Sequence, residues 1–358
     1  MPLKDSQPTL RVGVAMSGGV DSSTAAWMLH SAGHAVSGFT MALTGAANDE
    51  RAIASARGVC QFLGIPHEVV DLRAEFRRHV MDYFCDTYFE GLTPNPCVYC
   101  NKHVKFGLLL DHVLASGNDA MATGHYVIRT QDPALGHWVL RKGGDPRKDQ
   151  SYFLYRLSAD ALARTLFPNG EYTKPEIKAL ARGAGLPVAE APESQEVCFV
   201  PRDYGAFVAA QRPGRATQGQ IVDTGGKLLG WHEGIHLYTV GQRRGLGVSA
   251  PEPLYVLRIE PETNRVVVAP DAALLRDKLV TKNNHFVSGA PPEHGARVHA
   301  KIRYNAQAVP ATLHHAGQDA LHVLFDASQR AVTPGQSAVF YHGDIVLGGG
   351  IIQIETQE

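Results

Sequence analysis

Three of the five cysteines stand where packing alone explains them poorly. Cys97 and Cys100 form a C-x-x-C within Thr93-Pro94-Asn95-Pro96-Cys97-Val98-Tyr99-Cys100-Asn101-Lys102, a loop made by two prolines ahead of a helix expected over Lys102–Ala115. Cys198 lies far off in sequence, in Glu193-Ser194-Gln195-Glu196-Val197-Cys198-Phe199. A thiol near a helix N-terminus, with Lys102, His103 and Lys105 close by, is expected to have a depressed pKa and more thiolate. Two chemistries suit such a set: thiol exchange, or a metal or iron–sulfur site with Cys198 as a third ligand. A four-thiolate zinc site is disfavoured, because no second C-x-x-C exists. Cys60, seven residues after Ile53, and Cys85, three before Tyr88, fit buried helix faces, the usual fate of a free cysteine.

The second chemical feature is Ala15-Met16-Ser17-Gly18-Gly19-Val20-Asp21-Ser22-Ser23, which follows an apolar run and precedes a helical pattern. Two glycines let the backbone approach a ligand, the serines add donors, and N–H groups opening a helix form an anion site. The pattern G-x-x-x-x-G-K-[ST] is absent and no lysine follows the glycines, so this is a different phosphate loop. Asp21 could help hold Mg2+ on phosphates or merely cap the helix.

These residues need a scaffold. From 10 to about 125, the apolar runs LRVGVAM, HAVSGFTM, PHEVVDL and DAMATGHY alternate with helix candidates such as Ser22–Ser31, closed by Gly33. Another is Asn48–Leu63, capped by Asn48 and stopped by Gly64. Strands alternating with helices imply an α/β fold with a parallel sheet and ligands at its C-terminal edge. From about 215, Gly and Pro punctuate short strand patterns, so the tail reads as β-rich modules. The expected division is 1–200 for the nucleotide-binding domain, 201–280 for a central β-rich domain and 281–358 for a C-terminal β-barrel-like domain. With 358 residues, 44% of them hydrophobic and 19% charged, the chain can bury real cores. A net charge of −1 means that any nucleic acid must be held by local basic patches. No signal peptide or apolar span is evident, and with few cysteines this points to a reducing, cytoplasmic setting without membrane attachment.

The segments AMSGGVDSS at 15–23, PNPCVYCNKHVKF at 95–106, ATGHY at 122–126 and KDQSYFLY at 148–155 resemble the tRNA-specific 2-thiouridylases, members of the N-type ATP pyrophosphatase superfamily. So do SQEVCF at 194–199, TVGQRRGLG at 239–247, KIRY at 301–304 and TPGQSAVFY at 333–341, which carry the likeness nearly end to end. The resemblance implies an enzyme, a tRNA-uridine 2-sulfurtransferase. It would use ATP with Mg2+ to adenylate the C2 oxygen of the wobble uridine, then place sulfur there from a cysteine persulfide charged by a sulfur-donor protein. It implies that Ala15, Met16, Ser17, Gly18, Gly19, Val20, Asp21, Ser22, Met41 and Gly124 contact ATP, that Cys100 is the nucleophile, and that Cys198 carries the persulfide. It implies tRNA contacts at Asn95, Pro96, Cys97, His125, Lys148, Asp149, Gln150, Arg303, Tyr304 and Gln336, and no resident metal. Many family members carry Asp where this chain has Cys97, so that residue's role does not transfer. The rivals are an amidating ligase with the same loop, which the Cys100/Cys198 pair disfavours, and a non-catalytic RNA-binding protein, which the intact loop disfavours.

Overall fold

The computed structural model describes residues 9–132, 136–191, 197–200, 203–317 and 319–354. Strand β1 (Arg11–Ala15) leads through the phosphate loop into α1 (Val20–Ser31). β2 (Ala35–Ala42) leads into α2 (Ala47–Leu63), which Gly64 ends in the left-handed conformation at φ 67. After β3 (His67–Asp71) come a helix over 73–89 and the cysteine helix over 96–115, then β4 (Ala120–Ala122). A hairpin of β5 (Val127–Gln131) and β6 (Trp138–Lys142) follows, and β7 (Thr165–Leu166) returns to the first sheet.

That sheet has the order β3-β2-β1-β4-β7, every pair parallel. Connections after β1 step one way and the return to β4 steps the other, so the switch point lies between β1 and β4. Both faces are covered. Val12, Val14, Val36 and Ala56 share a core with α1 and α2, while Phe39, Met121, Val104, Leu109 and Val113 join the cysteine helix to the opposite face. Cys60 and Cys85 are fully buried, as expected.

The cysteine helix differs from expectation. It starts at Pro96, six residues early, so Cys97 and Cys100 occupy its first turns rather than a preceding loop. Proline fits the first helical position because its missing N–H costs nothing there. Asn95 caps the end, its Oδ1 accepting from the Val98 N–H at 3.4 Å. Cys100–Leu109 then winds as a π-helix. In α2 Asn48 is likewise not the cap; Ala46 holds that place, and Asn48 pairs with Arg51.

The remainder is β-rich. β8 (Gly219–Val222), β9 (Leu228–His232), β10 (Leu254–Glu260) and β11 (Arg265–Pro270) form a sheet ordered β10-β11-β8-β9. β12 (Leu275–Phe286), β13 (Ala296–Lys301), β14 (Val309–Ala316), β15 (Ala320–Arg330), β16 (Ser337–His342) and β17 (Ile345–Ile352) close into an antiparallel barrel, since β12 pairs with both β15 and β17. β12 runs unbroken through residue 280. The β5–β6 hairpin, early in sequence, extends the barrel sheet along β17, and Arg141 pairs with Asp344 there. No described helix is long and apolar enough to cross a membrane.

A buried polar seam joins the barrel to the helical region. The Tyr152 hydroxyl donates to the Ser337 carbonyl at 2.9 Å, the Ser337 hydroxyl to the Tyr155 oxygen at 3.2 Å, and the Ser151 and Tyr341 hydroxyls lie 3.2 Å apart. Tyr152→Phe leaves the buried Ser337 carbonyl unpaired, at a cost of about 1–3 kcal/mol. Urea unfolding followed by far-UV dichroism should therefore show a lower midpoint; an unchanged midpoint would mean the seam adds nothing to stability.

Candidate functional site

The phosphate loop lies at the C-terminal edge of β1, with Met41 near the end of β2 and Gly124 two residues past β4. Gly18 has φ +74, and its carbonyl accepts from the Ser55 hydroxyl at 2.7 Å. The Ser22 hydroxyl lies 3.1 Å from the Ser17 nitrogen and 3.2 Å from the Ser17 hydroxyl, which holds the loop curled. Gly19 is the N-cap of α1 and offers no side-chain cap, so the N–H groups there remain for an anion. Val20 and Met16 are buried and can meet a ligand only through backbone; Ser17 is exposed. Gly124 has its Cα against the first turn of α1: a Cβ there would stand 2.6 Å from the Ser22 nitrogen.

Asp21 is not the cap. Its Oδ1 accepts from the Tyr126 hydroxyl at 2.5 Å and from Lys174 Nζ at 2.6 Å. The Lys174 side chain is 8% exposed and that of Asp21 36%, so the pair sits at the wall of the site. The loop lacks its own lysine, and a distant helix supplies one. Asn169, fully buried, donates from Nδ2 to the carbonyls of Asp21 at 3.0 Å and Gly124 at 3.1 Å. Its Oδ1 is buried with no protein partner, a polar atom for which a ligand or water would be the complement. Sequence reasoning missed Lys174, Asn169 and Tyr126. Thr173-Lys174-Pro175-Glu176 reads as a capping box, so the helix start was visible, but its ion pair across 153 residues was not.

Cys97, Cys100 and Cys198 are unbonded; Cys97 and Cys198 are exposed and Cys100 is half-buried. They feel one another's charge: Cys198 acts on Cys97, Cys97 on Cys100, and Cys100 on Cys198. They are nonetheless not gathered as a ligand set, for among the described residues no three His, Cys, Asp or Glu side chains could hold a metal ion. The expected pKa depression does not occur. Crowding by protein around the concave site pushes each thiol up to about 11, and only Lys105 opposes this at all three. Lys102 and His103 do not help, because they point elsewhere. His103 stacks on His79 with centroids 5.0 Å apart, and burial and neighbouring cations push it down to about 4. Residues Ser194–Glu196 of the Cys198 motif lie outside the described residues.

His125 joins thiols to nucleotide loop. Lys105 Nζ lies 3.4 Å from its Nε2, and its Nδ1 is 2.8 Å from Thr123 Oγ1. Burial, then Lys105, holds the ring well below the usual histidine range, so it is neutral. An ammonium can only donate; Nε2 is therefore the acceptor and Nδ1 carries the proton toward Thr123.

Several expected RNA contacts turn out to hold the protein together. Asn95 and Pro96 are buried. Asp149 accepts from the Gly143 and Ser151 N–H groups at 3.1 and 3.0 Å. Gln150 Oε1 accepts from the Tyr126 N–H at 3.0 Å, and Gln336 Nε2 donates to the Thr93 and Pro94 carbonyls at 3.2 and 2.9 Å. Arg303 donates to the Arg330 carbonyl, while Tyr304 stacks near Phe153 at 4.5 Å, with Lys301 over its ring at 5.5 Å. Lys148 is half-buried at the turn ahead of Asp149. Two hollows lie away from the thiols: one of about 440 Å3 is lined by Arg243, Leu246 and Pro251, the other, of about 430 Å3, by Trp27, Tyr172 and Leu180.

Comparison with known proteins places this architecture. Residues 10–202 match the tRNA methyl transferase HUP domain, 206–270 the tRNA methyl transferase PRC-barrel domain, and 276–352 the aminomethyltransferase beta-barrel domain. A tRNA-specific 2-thiouridylase MnmA 1 of Caldanaerobacter subterraneus subsp. tengcongensis is 46% identical over 355 residues, covering 96% of this chain and 98% of the relative. A tRNA-specific 2-thiouridylase MnmA of Syntrophomonas wolfei is 48% identical over 344 residues, covering 96% of this chain and 100% of the relative. A solved U34-tRNA thiolase NcsA of Methanococcus maripaludis, determined with its [4Fe-4S] cluster, matches with a TM-score of 0.37 and 17% identity over 58% of this chain and 69% of its own, too distant to argue from. At such identity over nearly the whole length, the chain belongs to the tRNA-specific 2-thiouridylase family.

Proposed function

We propose that the protein thiolates the wobble uridine of tRNA at C2, spending ATP to turn the carbonyl oxygen into a leaving group. The observation that carries this is the line from thiols through Lys105 and His125 to Gly124, which packs on the phosphate loop. The HUP domain's family name speaks of methyl transfer, but thiols that feel one another's charge and the relatives' names favour sulfur. Residues 1–200 serve adenylation, and 201–280 and 281–358 frame the RNA.

The α1 N-terminus and Ser17–Ser22 hold phosphates, and Lys174 neutralises charge as pyrophosphate departs. Mg2+, when bound with ATP, supplies further charge neutralisation beside Asp21. Adenylation joins the C2 oxygen to the α-phosphorus. The persulfide terminal sulfur on Cys198 then attacks C2, and AMP leaves with the oxygen. Cys100, as thiolate, attacks the Cys198 sulfur. The S–S bond to the transferred atom breaks, its electron pair stays with the base as a thiocarbonyl, and a Cys100–Cys198 disulfide remains. A cytosolic dithiol reduces it, and a persulfide-bearing donor protein reloads Cys198. The wobble base suits this site because a loop nucleotide is already nearly unpaired. Lys148, Arg303, Tyr304 and Lys301, all half-buried, form the polar and aromatic face on which that RNA would lie, with His125, Asn95–Cys97, Asp149, Gln150 and Gln336 shaping its floor.

Three measurements test this reading. Lys174→Met keeps the stem but removes the charge, and should slow tRNA-dependent pyrophosphate release by about a hundredfold; a loss under about threefold would make Lys174 only a partner of Asp21. Cys198→Ser and Cys100→Ser should abolish thiouridine formation, measured by nucleoside mass analysis under anaerobic conditions, whereas Cys97→Ser keeps part. Equal loss at Cys97, together with loss of stoichiometric iron from the parent, would replace the persulfide route by a cluster. Because burial raises the thiols to about 11, alkylation of Cys100 by iodoacetamide should climb about tenfold per pH unit from 7 to 10. A plateau below pH 8 would contradict that environment.

A further inference from the structure

The motif NKHVKF places three basic side chains, Lys102, His103 and Lys105, just after Cys100. Helical winding decides which one meets the sulfur. In an α-helix of 3.6 residues per turn, a residue five positions on lies about 140° around the axis, and the third and fourth positions are the neighbours. His103 and Val104 would then flank Cys100, and Lys105 would point away. The segment Cys100–Leu109 is instead π-helical, and its i→i+5 bonding widens the turn so that Lys105 comes round to the side of the helix that carries Cys100. The surroundings agree with that register. Val104 is fully buried, and His103 has turned to stack on His79. Lys102 is within reach of Arg156 rather than of a thiol. Lys105 is the cation whose field reaches Cys97, Cys100 and Cys198 together.

Its position is also fixed from the far side. The Nε2 lone pair of neutral His125 faces Lys105 Nζ at 3.4 Å, and Thr123 holds that ring in the accepting tautomer. Phe106 and Phe167 pack on the ring at centroid distances of 5.6 and 6.5 Å. The ammonium is thus steered by an uncharged acceptor, and no carboxylate is needed to place it.

We propose that Lys105 is the countercharge for anionic sulfur at Cys100 and Cys198, brought into place by the π-helical winding of 100–109. The inference rests on the sulfur-transfer reading and deepens it: in that reaction sulfur is anionic as the attacking persulfide on Cys198 and as the Cys100 thiolate. One fixed cation serves both, and no proton need be lost from a lysine at any step.

The test uses thiol reactivity in the intact protein, with Cys100 alkylation by iodoacetamide followed by peptide mass analysis from pH 7 to 10. Lys105→Met keeps the apolar stem, and Lys105→Gln is a second neutral variant should the first not fold. Either should slow Cys100 alkylation at pH 9 about tenfold and move the rate curve to higher pH by about one unit. Lys105→Arg should restore the rate to within about threefold, and Lys102→Met should leave the curve unchanged. Parent-like curves in the neutral variants, or an arginine variant as slow as they are, would overturn the proposal. A shift in Lys102→Met as large as that of Lys105→Met would overturn the helical register behind it. Alkylation needs neither ATP nor tRNA, so a parent protein that fails to thiolate tRNA would sink the functional reading and leave this result standing.

Discussion

Lys174 Nζ rests 2.6 Å from the Asp21 carboxylate, and much of the site depends on that contact. A phosphate loop made of N–H groups and hydroxyls has no mobile cation of its own, so positive charge must arrive from another element. Bringing Lys174 there sets the first turn of its helix against the first turn of α1, and Asn169 ties the same turn to the loop after β4. The parallel sheet makes this possible. Its switch point leaves a crevice between the ends of β1 and β4, where three segments distant in sequence can converge. Breaking the pair would take the nearest carboxylate from a nearly buried ammonium, which costs more than the pair itself contributes.

Sulfur chemistry places the opposite demand on the thiol side. Protein crowding excludes water and favours the neutral thiol, while transfer needs anionic sulfur. The helix start, with its dipole, was expected to settle this in favour of thiolate, and it does not, because crowding outweighs it. A single ammonium one π-turn along, held by a neutral imidazole, is the available compensation.

The alternation of strands and helices, the loop at the edge of β1, the burial of Cys60 and Cys85 and the β-rich tail were all legible, because each rests on local periodicity and turn chemistry. What could not be read depends on partners far along the chain. The β5–β6 hairpin looked like part of the first domain by position, yet its edge is satisfied by β17 of the barrel. Gln336 and Asp149 sit in motifs that suggest contact with RNA, but their side-chain hydrogen bonds go to Thr93, Pro94 and the turn at 143–151. Pro94 and Pro96 suggest a loop, yet the helix starts at Pro96, because proline is favoured at the first helical position. The π-winding leaves no signal in local periodicity or capping residues, and with it went the choice of Lys105 over His103.

The account turns on sulfur passing from Cys198 to the base while Cys100 closes on Cys198. The direct measurement is a single turnover of enzyme loaded at Cys198 with isotopically labelled persulfide sulfur, mixed with ATP and tRNA without reductant. Mass analysis should find the label on uridine and a Cys100–Cys198 disulfide in equal amounts, both absent without ATP. Labelled thiouridine formed with both cysteines still reduced would contradict the account.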